Sequence, residues 1–403
     1  MTQRNDWKKD IILFLSGQVV SLLGSSLVQY AIMWYITLQT QSGTMMTIFI
    51  ICGFLPTFFL SPFAGVWADR YNRKKIIIFA DAFIAIATLI MAIFYLIGYG
   101  SIWLLFVMSA IRAFGSGIHS PAINALLPQL VPKEMLTKIN AVNGTIQSMV
   151  FLISPMVSAA LVELVAIETI FFIDVITAAI AIFMLLFFVE VPDHRKVAES
   201  QNIDYLSDLK EGIVYIRNHA YVKQFFLFCT MFFLLVSPLA FLTPLQIARS
   251  YGDEVWRLSA SEIAWSVGMM LGGFIMATWS GFKNKIYTMT LSTIVTAIGT
   301  IALGLKPFFW IYLASMGIMG LTMPFFNTPS TVLLQQKVEQ DYLGRVFGVL
   351  NMISSSVMPL GMLFFGPLAD IIAIEKMLII TGILMFFMSF FLIKNKVMLD
   401  AGK

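Results

Sequence analysis

Gly65-Val66-Trp67-Ala68-Asp69-Arg70-Tyr71-Asn72-Arg73-Lys74-Lys75 is a hydrophilic knot between two long apolar runs. Charge at this density is expensive in hydrocarbon, so the stretch reads as a tight turn at a membrane surface. The runs on either side then read as the helices it joins. As a connection its make-up is unusual: a helix-packing glycine, one carboxylate, then four cations in the next six positions. Something must face that charge.

Outward from this turn the chain of 403 residues is 59% hydrophobic and only 12% charged, against ~25% charged for soluble domains. Mean hydropathy is +0.86. Twelve apolar runs are legible, from 11–38 and 45–67 through to 346–370 and 375–394, each long enough as a helix to cross a ~30 Å hydrocarbon layer. Barrel strands would alternate, and these runs do not. The expected fold is therefore an all-α membrane protein of twelve transmembrane helices in two six-helix bundles. The bundles are expected at 1–190 and 222–403, joined by a cytoplasmic linker over 191–221.

Orientation follows from the loops, because Lys and Arg accumulate on the cytoplasmic side of short connections. Both termini and the even-numbered loops hold 21 of the 26 cations and the opposite loops 4, so both ends are expected inside. The net charge of +4 reports this topology and gives no reason to invoke nucleic acid. Residues 1–10 are polar and the run behind them is long, without a small-residue cleavage site, so the first span is expected to remain. Cys52 and Cys229 fall within apolar runs and read as buried reduced thiols. No metal or cofactor is expected.

Along the first half, Gln29, Tyr30 and Met33 share one helical face and are open between packing and lining a cavity, while Gly17, Gly24, Ser25 and Ser26 allow close helix approach. Pro56 and Pro62 break the second run, and Asp81 lies about one turn into the third. Arg112 is the decisive residue of the fourth. A guanidinium at that depth costs at least ~2.5–3.5 kcal/mol, so it must meet a partner or a watery cavity. His119 is open between a structural histidine and a proton carrier. Glu163 ends the fifth run, and Asp174 lies roughly 8 Å into the sixth, where hydration would explain it equally well.

The linker carries Ile203, Leu206, Leu209, Ile213 and Ile216 at spacings of three and four, an amphipathic helix. Beyond it Ser259-Ala-Ser-Glu262 reads as a capping box opening the eighth span. The second half echoes the first. Trp67–Asn72 returns as Trp279–Asn284 at an offset of 212, Leu136-Thr-Lys138 as Leu343-Gly-Arg345 at 207, and Pro121 as Pro329 at 208. A repeat of half a chain is the mark of paired bundles with a substrate path near the midplane.

Gly65-x-x-Ala68-Asp69-Arg70-x-x-Arg73-Lys74 resembles the signature loop of the major facilitator superfamily, and Arg112-x-x-x-x-Gly117 its second motif, associated with proton-coupled members. Gly53-Phe-Leu-Pro56, Leu130-Val-Pro-x-Glu-x-Leu-Thr-Lys138, Ser154-Pro155 and Tyr342-Leu-Gly-Arg-Val-Phe347 are similar to the macrolide-efflux branch of its drug antiporters. Two departures stand out: Asn72 replaces a glycine, and the antiporter motif of the fifth span keeps only Ser154-Pro155 of its glycine-rich pattern.

The resemblance implies alternating-access export of small amphiphilic drugs, macrolides first, probed from a monomer in the bacterial inner membrane among its lipids, with protons as counter-substrate. It assigns the cytoplasmic gate to Gly65, Asp69, Arg70, Arg73, Lys74, Asp81 and Arg345, with Asp69 meeting the start of the eleventh span. Proton coupling falls to Arg112, Asp174 and Glu163. Candidate substrate contacts are Gln29, Met33, Gln147, Phe151, Phe241, Asn327 and Asn351. Export of an endogenous amphiphile such as a siderophore or lysolipid is the competing expectation. A membrane enzyme would need clustered catalytic side chains, and the three histidines are scattered. ATP drive would need a Gly-x-x-x-x-Gly-Lys-Ser/Thr loop, which the sequence lacks.

Overall fold

A computed structural model describes residues 7–191 and 205–402, apart from the side chains at 61, 62, 65, 66, 69, 133, 205–210 and 341. Fourteen α-helices lie among them, and twelve are long and apolar enough to cross a membrane. The first six are α1 (Trp7–Thr40), α2 (Gly43–Arg70), α3 (Arg73–Leu96), α4 (Ile102–Leu130), α5 (Leu136–Leu164) and α6 (Ile167–Phe188). The short α7 (Tyr205–Asn218) follows. The remainder are α8 (Ala220–Tyr251), α9 (Val255–Trp279), α10 (Lys285–Gly304), α11 (Phe309–Lys337), α12 (Gln340–Ala369), α13 (Ile374–Lys394) and α14 (Lys396–Ala401).

The chain divides into two compact units. Unit 1 is Met1–Ile36 with Ile48–Gln201, and unit 2 is Thr37–Thr47 with Asn202–Lys403. The start of α2 thus groups with unit 2, and so does α7, which packs on α12 and α8.

Unit 1 is held by an aliphatic core at the end that carries the basic turn. Ile11, Phe14 and Leu15 of α1 meet Ile77 of α3, Leu126, Leu127 and Leu130 of α4, and Leu185 of α6. Small residues set the approach of the helices above it. A Cβ on Gly24 would fall 2.0 Å from Thr177 Oγ1, and one on Gly115 2.5 Å from Ile84 Cγ1, so α1 lies directly on α6 and α4 on α3.

In unit 2 glycine brings α9 against α11. A Cβ on Gly268 would sit 2.0 Å from the Gly317 carbonyl, and one on Gly320 2.2 Å from that of Trp265. Aromatic stacking fills α8 and α11, where Phe326 lies 5.2 Å from Phe232 and 6.0 Å from Phe228, centroid to centroid.

Three expectations about helix boundaries fail. Helix α2 runs unbroken past Pro56, and beside the ring Thr57 Oγ1 donates to the Ala113 carbonyl of α4 at 2.9 Å and lies 3.3 Å from the Gly53 carbonyl. Helix α9 starts at Val255, so Ser259 is buried inside it and Ser261 bonds back to the Leu258 carbonyl at 2.8 Å instead of capping. Helix α12 starts at Gln340, six residues ahead of the apolar run, because its first turns are polar.

Candidate functional site

The two halves of the repeat treat their basic turns alike. Asn72 caps α3 by accepting from Lys75 N at 3.2 Å, and Asn284 caps α10 by accepting from Ile286 N at 3.0 Å. The next residue reaches back in both cases: Arg73 Nε donates to the Ala68 carbonyl at 2.8 Å and Lys285 Nζ to that of Ser280 at 2.7 Å. These are the orphan acceptors of a helix C-terminus. Arg73 also donates to the Ala125 carbonyl near the end of α4 at 2.7 Å, and Lys74 to those of Leu186 and Val189 at the end of α6, at 3.1 and 2.8 Å. Much of what faces the basic turn is therefore backbone carbonyl. Arg70 is exposed. Gly65 and Asp69 belong to the last turns of α2, and their side chains lie outside the described residues.

Inside unit 1 the ionisable residues come together on one antiparallel seam. Arg112 of α4 pairs with Asp174 of α6 and with the Thr88 hydroxyl of α3. Ser25 of α1 donates to Asp174 Oδ1 at 3.0 Å, and Thr88 Oγ1 lies 3.0 Å from Oδ2. Gly24 makes this reach possible, since the backbone it exposes passes within 3.2 Å of Asp174 Cα, measured from where its Cβ would be. Asp174 is wholly buried and Arg112 is 6% exposed, so hydration does not account for either. Asp174 lies about 10 Å into α6, counted from Ile167.

Two turns further along α4 and two turns back along α3, His119 Nε2 stands 3.1 Å from Asp81 Oδ1. Ser21 Oγ, one turn before Ser25 on α1, donates to the same oxygen at 3.3 Å. Asp81, grouped with the cytoplasmic gate in the sequence reading, is buried against Ser21 and His119. Glu163 is exposed in the last turn of α5 and is not among the contacts of Arg112 or Asp174. The signal for this pairing was present in the sequence. Equal seven-residue spacings, 81 to 88 and 112 to 119, superpose when two consecutive helices run antiparallel.

In unit 2, Arg345 lies in the second turn of α12, 3.1 Å from Glu211 of α7 and over the ring of Tyr342, which stacks on Tyr215 at 4.4 Å. That helix start, at residues 340–343, lies ahead of the position expected, and Tyr342 N donates to the Glu339 carbonyl at 3.0 Å. Glu262 is two turns inside α9 and half-buried, deeper than a span beginning at 262 would put it. A cluster with no expectation attached lies at the end of α12. Asp370 accepts from Gly43 N at 2.6 Å, Thr44 N at 2.9 Å and Ser42 Oγ at 2.8 Å, capping α2, and pairs with Arg249 at 3.1 Å. Burial raises its carboxyl pKa, but the donors of Thr44, Gly43 and Ser42 outweigh that and hold it at about 2.

Of the candidate substrate contacts, Gln29, Gln147 and Phe151 are exposed in unit 1 and Asn327 and Asn351 in unit 2; Met33 and Phe241 are half-buried.

Twelve apolar helices, a doubled basic turn and buried charge on the α3–α4 seam define a multi-pass membrane transporter. Residues 14–362 match the Major Facilitator Superfamily, and the chain belongs to that family. It is 32% identical over 386 residues to Macrolide efflux protein A of Streptococcus pyogenes, covering 95% of each chain. It is also 32% identical over 314 residues to the protein of that name from Enterococcus faecalis, covering 77% of this chain and 97% of the relative. A bacterial homologue of the human lysosomal transporter Spinster, solved inward-facing and unoccupied, shares the fold. Its TM-score is 0.74 at 13% identity, over 100% of this chain and 99% of that one. The protein is a transporter of the bacterial inner membrane.

Proposed function

We propose that this transporter exports amphiphilic drugs, macrolides first, by alternating access driven by protons entering the cell. The observation that carries the substrate reading is its similarity to a macrolide efflux protein along nearly the whole length of both chains. Proton drive is supported by ionisable groups buried in a membrane-spanning seam, a placement that is costly and marks ion pathways. In this reading both termini are cytoplasmic, as the distribution of 26 cations favours, and the working unit is a monomer. Gly65, Asp69, Arg70, Arg73, Lys74 and Arg345 act as the cytoplasmic gate. Gln29, Met33, Gln147, Phe151, Phe241, Asn327 and Asn351 line the substrate path, a greasy surface with few polar anchors suited to varied ligands. Arg112 and Asp174 form the charged element that proton coupling requires.

The test is a drug-susceptibility panel in an efflux-deficient host, with and without a protonophore. Expression should raise macrolide resistance, and the protonophore should abolish the rise. Unchanged macrolide susceptibility at verified expression defeats the substrate reading and leaves an endogenous amphiphile as the candidate. Resistance indifferent to the protonophore defeats proton drive.

A further inference from the structure

The buried charges of unit 1 form two pairs that differ in their capacity to change protonation. Asp174 is wholly buried and is met by Arg112, Thr88 and Ser25. Arginine keeps its proton at any physiological pH. Neutralising Asp174 would leave a guanidinium buried without its counter-ion, a loss of the kind that costs ~3–5 kcal/mol. This pair is a fixed dipole.

The pair at the other end of the seam is built differently. His119 is the side-chain type whose charge changes between about pH 5 and 8. Its Nε2 is buried and, although 3.1 Å from Asp81 Oδ1, is off the line that a hydrogen bond requires. The His119 side chain is 16% exposed, whereas that of Asp81 is 5% exposed. Among the described residues, the neutral hydroxyl of Ser21 at 3.3 Å is the hydrogen-bond donor to Asp81. Asp81 is thus a buried carboxylate with half a partner, and the partner's charge is adjustable.

The other charged groups around this pair are engaged elsewhere or lie towards helix ends. On α4, Arg112 lies two turns away and is engaged with Asp174; towards the other end Arg73 is bonded at Ala125. On α3 the nearest cations are Arg73, Lys74 and Lys75 at the helix start. Helix α1 supplies Ser21 at this level, with Asp10 near its start at Glu190 N. Asp174 represents α6. Helix α2 packs on α4 at Gly117 through Thr57 and Leu60 and carries Asp69 and Arg70 at its end. Helix α5 carries Lys138 in its first turn and Glu163 in its last.

Building on the proton-driven reading above, we propose that Asp81 and His119 form the proton-binding site of the transport cycle, with His119 Nε2 as the atom that gains and loses the proton. Taking one proton from water turns imidazole into imidazolium and completes the ion pair with Asp81, drawing α3 and α4 together. Returning that proton to water on the other side leaves Asp81 buried with only Ser21, which loosens the same seam. The fixed Arg112–Asp174 dipole stays charged throughout. Its part is to hold the helices in register, so that one proton acts on a preformed contact.

The experiment uses the full chain in proteoliposomes with erythromycin as probe. For one coupled proton, each unit of imposed pH gradient supports up to about tenfold accumulation. Wild type should show that dependence, while His119→Gln and Asp81→Asn should lose it, keeping only downhill flux. A second readout needs no transport: with three histidines in the chain, the imidazole of His119 can be followed by NMR in a background where His194 and His219 are replaced by Gln. Its resonances should respond to pH, and that response should change when Asp81→Asn is introduced. Gradient-driven accumulation by His119→Gln equal to that of wild type overturns this site alone, as does an imidazole that does not titrate. If wild type itself ignores the gradient, proton drive fails and this site fails with it.

Discussion

The α3–α4 seam of unit 1 and the α10–α11 seam of unit 2 are equivalent in the repeat, yet one is charged and the other is neutral. The offset of 212 carries Asp81 to Thr293 and Thr88 to Thr300, both wholly buried. The offset of 208 carries Arg112 to Gly320 and His119 to Asn327. Along α10 the hydroxyls satisfy themselves: Thr293 donates to the Met289 carbonyl at 2.9 Å, Thr300 to that of Thr296 at 2.8 Å, and Ser292 crosses to the Thr322 carbonyl at 2.6 Å. Gly320 serves the approach of Trp265. The same helical scaffold therefore stands without ionisable groups at these positions. Their presence in unit 1 fits the part in transport proposed for them, because the fold is met more cheaply by hydroxyls and glycine.

The largest effect should come from breaking the charged seam at its centre. Arg112→Leu leaves Asp174 buried and unpaired and should lower stability by ~3–5 kcal/mol, read as thermal unfolding in detergent, with export lost. Combining it with Asp174→Leu should recover most of that stability, since an apolar pair needs no desolvation, while export stays at background. A double variant that exports at the wild-type rate would make the charges structural and erase the contrast with α10–α11.

A smaller effect is expected where unit 2 does carry charge, at the ends of its helices. Asp370→Ala removes the cap on α2 and should cost about 1 kcal/mol at neutral pH. The pKa of Asp370 in the fold, about 2, is below its ordinary 3.8. Its contribution is therefore fully present above about pH 4 and fades as pH falls toward 2. The unfolding curves of variant and wild type should converge over that interval. A difference that persists at pH 2 would show that the carboxylate charge is not what stabilises this end.

The smallest effect belongs to the neutral seam. Thr293→Val replaces a self-satisfied hydroxyl with a methyl of the same shape and should change stability by no more than ~0.5 kcal/mol, with export unaltered. Loss of export at normal folding would mean that both seams carry function.

Much of this molecule was open to reading from the chain. Hydropathy and helix length reveal the spans, and the Trp67 and Trp279 echoes reveal the repeat. Arg112 announces itself as a cation too deep to be idle. Asp174 is legible together with Arg112, its partner in the fold, whereas Asp81 reads with the basic turn nearby in sequence and takes its partners from α1 and α4. Polar helix starts concealed the true beginnings of α9 and α12, because hydropathy marks the hydrocarbon and not the helix. The cap that Asp370 places on α2 joins residues more than 300 apart in the chain, and no local pattern foretells it.

The basic turn at 65–75 marks the division. Composition alone determined that it is a surface turn between membrane helices, since transfer of charge into hydrocarbon depends on residue type and little else. What its cations hold was settled only in three dimensions. Arg73 and Lys74 meet the carbonyl ends of α2, α4 and α6, and hydrogen bonds of about 3 Å depend on where helix ends meet. The same reason separates Arg112–Asp174 from Asp81–His119. Burial of each residue type is a property of the sequence, but pairing is decided by glycine-set helix approach and antiparallel register.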